Sequence, residues 1–227
     1  MFNMIINGFD TGTIPNCYVT DYGEEQMAQP RFDNNTIYGA NGDYPIYDGA
    51  YDGYDKTVSL YVVKEEEVQK ILEQFNQQNN VVEFGHRPGS IFYADYAGSS
   101  FRQNGIHAWS LEIKLKMHPF RYQKNNTEVV LTSNGTVTNP GTVYSEPVIT
   151  VYGSGEITLM VGMTIVELDG IMDSITLDTP LMEAYRGATS MNGYMSGDFP
   201  TLLPGSNAIS WTGNVTKIVI QPNWRYL

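Results

Sequence analysis

From Asn139 onward the chain consists of short alternating apolar runs cut by glycine and aspartate turns, and this pattern constrains the fold more than any other feature. One stretch runs from Asn139 to Arg186 and a second from Leu203 to Arg225. Strands are expected at 129–132, 147–152, 156–161, 164–168, 171–177, 208–212 and 215–221. Gly153-Ser154-Gly155 and Asp169-Gly170 would supply tight turns between them. Asp178 or Thr179 ahead of Pro180 predicts a turn or two of helix through Tyr185, ended by Gly187. Short strands at such close spacing favour a β-sandwich. The change of texture places the domain boundary near residue 130, giving domains 1–130 and 131–227.

The first domain reads differently. Residues 2–9 hold a short apolar run with Gly8 as its turn, and a strand is expected at 57–62. Between Lys64 and Gln78 the apolar residues are Val68, Ile71, Leu72 and Phe75, at the i, i+3, i+4, i+7 spacing of a helix with one apolar stripe. Glu65, Glu66 and Glu67 would occupy its first turn, where the dipole favours anions. A helix this short needs a partner, and a neighbouring sheet is the expected one. Trp109, Leu111, Ile113, Leu115 and Met117 alternate with Ser110, Glu112, Lys114 and Lys116, the cleanest strand signal in the chain, closed by Pro119. The fold class is therefore mainly β with a minor α+β part and one main helix.

The acidic balance bears on partners. Thirteen Lys and Arg face 25 Asp and Glu, a net charge of -12, which argues against a protein that wraps a phosphate backbone. Residues 125–227 carry only Arg186, Lys217 and Arg225 as cations. The single Cys17 can form no intrachain disulfide and lacks companions for a thiolate metal site. No N-terminal apolar run reaches the length of a signal peptide or membrane span, so synthesis in a cytoplasm without a membrane anchor is expected.

Reactive constellations are missing from the pattern. His86, His107 and His118 are scattered, and no G-x-S-x-G elbow or H-E-x-x-H motif occurs. Gly153-Ser154-Gly155 lacks the lysine and following helix of a phosphate loop. The reading is of a non-enzymatic chain with no catalytic, cofactor or metal residues. Asp43, Asp48, Asp52 and Asp55 do not fit a calcium-loop spacing. They lie in a Tyr/Gly/Asp-rich stretch, 38–55, which shows neither period and is expected to be a long loop. Its tyrosines Tyr44, Tyr47, Tyr51 and Tyr54 make it a candidate protein-contact loop, since tyrosine supplies contact area at low entropic cost. Trp211 and Trp224 are the candidate sugar-stacking residues, with core placement as the other reading of Trp211.

Several pieces of the second half resemble, in order, the distal tail protein (Dit) family of long-tailed phages and prophages. They are Asn139-Pro140-Gly141-Thr142, Ser145-Glu146-Pro147 with the strand leading to Gly155, Ile175-Thr176-Leu177-Asp178, Pro204-Gly205-Ser206-Asn207 through Gly213, and Pro222-Asn223-Trp224-Arg225. The strand–helix–strand of 57–84 and the Trp109 strand resemble it more loosely. The resemblance implies an N-terminal ring-forming domain that builds a homo-hexamer at the virion tail tip, joining the major tail tube protein to the tail-associated hub protein. It implies a C-terminal galectin-like sandwich that anchors receptor-binding or baseplate proteins, and a channel through which genome DNA passes without specific binding. A carbohydrate-binding adhesin and a tail-associated hydrolase are the rival classes.

Overall fold

The computed structural model describes residues 2–39 and 41–227. The chain is mainly β, with one α-helix among the described residues, and divides into two compact units. The first comprises Met1–Arg121 together with Leu227, and the second Tyr122–Tyr226. This division falls ahead of the 130/131 boundary read from the change of texture.

In the first unit the strands are β1 (Met4–Ile6), β2 (Phe9–Asp10), β3 (Tyr18–Asp21), β4 (Pro30–Thr36), β5 (Asp43–Tyr51) and β6 (Tyr54–Val62). The helix α1 (Glu65–Leu72) follows, then β7 (Asn80–Phe84), β8 (Ser90–Gln103) and β9 (Trp109–Gln123). The main sheet has the order β2-β1-β7-β8-β9-β6-β3. The alternation in β9 does what its period demands. Leu111, Ile113, Leu115 and Met117 are fully buried, whereas Glu112, Lys114 and Lys116 are exposed. Val68 and Ile71 of α1 enter the same core as Val58, Leu60 and Ile113, with Leu72 and Phe75 packed at its margin. The apolar stripe thus finds the sheet that a lone short helix requires.

Three sequence expectations for this unit change. The helix stops at Leu72 rather than Gln78, because Gln74 and Phe75 donate to Ile71 and Leu72, three residues back, and Asn79 adopts a positive φ of 54°. Pro119 does not close β9, which continues to Gln123. The β6 ladder ends with Tyr54 opposite Met117, so the missing Pro119 N–H falls beyond the last pairing with β6. The stretch 38–55 is not a loop either. β4 and β5 form a hairpin and β6 begins at Tyr54; Ala40, within that stretch, lies outside the described residues.

The second unit contains β10 (Val129–Leu131), β11 (Gly135–Asn139), β12 (Val148–Val161), β13 (Thr164–Ile171) and β14 (Ser174–Asp178). β15 (Glu183–Arg186), β16 (Thr189–Ser190), β17 (Met195–Gly197), β18 (Gly205–Gln221) and β19 (Arg225–Tyr226) complete it. The expected strand pairs 147–152/156–161 and 208–212/215–221 are each one long strand, β12 and β18. Gly153 and Gly213 do not reverse the chain. They sit at bulges where a side chain would meet the backbone carbonyls of Asn214 and Glu156 at 2.3 Å, so only glycine lets the two strands bend together. Before the bend, β12 pairs β14; after it, β12 pairs β13, while β18 accompanies it throughout. Side chains from both halves, among them Ile149, Ile175, Ile218, Leu159, Val166 and Ile209, form one core. The result is one nine-stranded sheet that bends along β12 and β18 around a single core.

Asp169-Gly170 likewise lies inside β13, and the reversal comes after Ile171. The helix expected through Tyr185 is a turn: Leu181 and Met182 donate back to Asp178 and Thr179, but Met182 has a φ of 53° and the chain leaves as β15. The cap chemistry is present without enough helical residues behind it.

Candidate functional site

The β4–β5 hairpin is the surface that the fold leaves without a core. Every residue of β4, and of β5 as far as Gly49, is exposed. Phe32 lies opposite Tyr47, Asp33 opposite Ile46 and Asn35 opposite Tyr44. Tyr44 is 64% exposed and Tyr38 fully so, with Phe32, Ile37, Ile46 and Tyr47 near one half. Polar ties hold the ribbon: Arg31 Nε donates to Asp48 Oδ2 at 2.7 Å, and Thr36 Oγ1 to Asp43 Oδ1 at 3.1 Å. The Asp48 carboxyl is held below the usual carboxylate range by the Ala50 N–H first and then by Arg31. A two-stranded ribbon open on both faces is marginal by itself.

The four candidate tyrosines are not equivalent. Tyr44 and Tyr47 stand on the open ribbon. Tyr51 is half-buried and meets Phe120 edge-on at 5.3 Å, so an aromatic ladder of Phe32, Tyr47, Tyr51 and Phe120 ties the hairpin to β9. Tyr54 packs against the sheet core, and burial raises its phenol pKa. The aspartates disperse as well: Asp48 and Asp43 serve the ribbon, while Asp55 sits in β6 opposite Lys116. Among the described residues no three His, Cys, Asp or Glu are placed to hold a metal ion.

A second open feature is the outer part of β8. β7 begins at Asn80, opposite Ala94, so from Asp95 to Gln103 β8 has no strand on its β7 side among the described residues. Tyr96 and Phe101 are 40% exposed there, and Ile106 in the following turn 85%. Unpaired strand edges of this length are templates for another strand.

In the second unit Trp224 is 8% exposed and lies in the core, which leaves its indole no face for a sugar. Trp211 is partly buried against the same core. The motif residues of the second half converge on one structural knot. Asn139 Nδ2 donates to the Val143 and Leu202 carbonyls, and Asn207 Nδ2 to those of Val137, Leu203 and Gly205. Arg225 makes two 2.9 Å bonds to the Glu146 carboxylate, donates Nε to the Tyr144 carbonyl at 2.6 Å, and lies over the Tyr144 ring. Asn223 donates to the Glu146 carbonyl. These residues staple strand ends together. The histidines are apart: His86 meets Glu25 at 2.8 Å, His118 meets Asp95 at 3.5 Å, and His107 is exposed.

Two β-rich units, one helix and open strand edges define a fold class, and that class has a solved representative. Over 100% of both chains the structure is similar to the crystal structure of Dit from phage SPP1, with a TM-score of 0.77 and 15% sequence identity. That protein is described as a paradigm of the hub adsorption apparatus in phages that infect Gram-positive bacteria. At this identity the likeness shows a shared fold. No protein-family model matches the sequence, and no curated protein does.

Proposed function

We propose that this chain is a non-enzymatic structural protein of a phage tail tip, in which six copies form a ring between the tail tube and the hub protein. The observation that carries the reading is the full-length fold likeness to SPP1 Dit. The exposed hairpin and the open edge of β8 supply what ring formation needs, apolar and hydrogen-bonding surface on a chain that otherwise buries its core. The neighbouring subunit or the hub protein covers Tyr44 and Tyr47. The second unit acts as a galectin-like sandwich that anchors receptor-binding or baseplate proteins. The chain's excess of acid suits a lumen that must not retain DNA.

Mass photometry and negative-stain microscopy of the purified chain, alone and with its hub protein, test the reading. Six-membered rings in either preparation are the expected result. A chain that stays monomeric in both removes the proposal. Saturable binding on a glycan panel would favour the adhesin class instead.

A further inference from the structure

Between β3 and β4 the chain crosses the first unit as a strap, Tyr22–Gln29, with no regular structure. Its two ends are fixed. The Tyr22 hydroxyl donates to the Asn3 carbonyl at 3.1 Å and its ring packs 4.0 Å from His86; at the other end the Asp52 N–H donates to the Gln29 carbonyl at 2.9 Å. That last bond closes the stem of the β4–β5 hairpin. In the middle, Glu25 faces the His86 imidazole at 2.8 Å and the Arg87 guanidinium at 2.9 Å after β7, and the Lys56 ammonium of β6 at 3.5 Å. The Lys56 side chain is 4% exposed, and its ammonium also donates to the Glu24 carbonyl. The strap lies over a cavity of about 260 Å³ whose walls include Met27, Tyr54, Phe92 and Arg121. Charge therefore holds this segment where dense packing does not.

We propose that Glu25 is a latch that fixes the hairpin stem on the sheet and that acid opens it. Burial opposes the Glu25 carboxylate, but the His86 hydrogen bond and the charges of Lys56, Arg87 and His86 outweigh it and hold its pKa below the ordinary value. The sign follows. Stability from a carboxyl with a depressed pKa is complete above its unfolded value and is lost as pH falls through the folded one. The groups facing Glu25 are Lys56 and Tyr54 from β6 and His86 and Arg87 from the turn after β7; Glu24 is its neighbour on the strap, and Arg121 of β9 lines the same cavity. Protonating Glu25 leaves a buried ammonium without a counter-ion, so the strap rather than the sheet gives way.

The latch concerns order within a single chain, and only its consequence for assembly rests on the ring proposal. Amide hydrogen exchange on the isolated full-length chain therefore tests it separately. After correction for intrinsic rates, Glu25→Gln at neutral pH is expected to speed exchange across 30–51 at least fivefold while 58–62 and 111–115 keep their protection. Wild type is expected to reach the same state only on acidification below the ordinary carboxylate range. Arg87→Gln, which leaves Lys56 its counter-ion, gives the smaller effect and serves should Glu25→Gln fail to fold. Unchanged exchange at 30–51 in the folded variants, or acceleration spread evenly over the first unit, overturns the latch.

Discussion

Arg225 anchors the C-terminal end of the second unit to the segment that precedes β12. Its side chain is 4% exposed, and its guanidinium is matched on one side by the Glu146 carboxylate and on another by the Tyr144 carbonyl. Removing one partner of such a pair strands the other charge, so Glu146→Ala is expected to cost about 3 kcal/mol in urea unfolding; a loss within experimental error would contradict the role. Cys17 gives a second test. Burial first, and the charge of Glu67 second, push its thiol from 9.0 up to about 11. A thiol that holds its proton more tightly when folded contributes stability that is complete below pH 9 and lost as pH rises through about 11. The fall in urea midpoint over that window should be steeper in wild type than in Cys17→Ala, and parallel curves would refute it. Cys17 was legible as inert from its solitude. The role of Arg225 was not, because nothing local in Asn223-Trp224-Arg225 reveals a partner at Glu146.

Among elements, legibility followed burial on one face. β9 was readable because one of its faces is core and the other water, and the α1 stripe was readable for the same reason. The hairpin was not, since alternation records a difference between two faces and here both are exposed. Glycine misled at 153 because close backbone approach and chain reversal call for the same residue. The hairpin's openness makes a prediction. Replacing Tyr44, which stands outside the aromatic ladder, by serine should change the stability of the isolated chain by less than about 0.5 kcal/mol, as at other exposed sites. The same variant should weaken ring formation in mass photometry. A variant that assembles normally would show that the ribbon is not the contact.

For the molecule as a whole, composition indicated a β-rich protein and the structure resolved it into two units, but their border is set by contacts rather than by texture. β9 continues across residue 121, which conceals the border in a strand that reads as uniform. Net charge acts at this scale too. With 25 acidic against 13 basic residues, the assembled protein is expected not to retard double-stranded DNA in a gel even at low salt, where electrostatic binding is strongest. Retardation there would argue for a concentrated basic surface.

The Gln123 N–H donates to the Trp224 carbonyl at 3.0 Å, and the Tyr226 hydroxyl to the Gln123 side chain at 3.2 Å. The chain thus enters and leaves the second unit at neighbouring points, as a cassette is wired through adjacent pins. A unit whose two ends lie this close can be exchanged for another with the same spacing of ends without moving the residues that flank it.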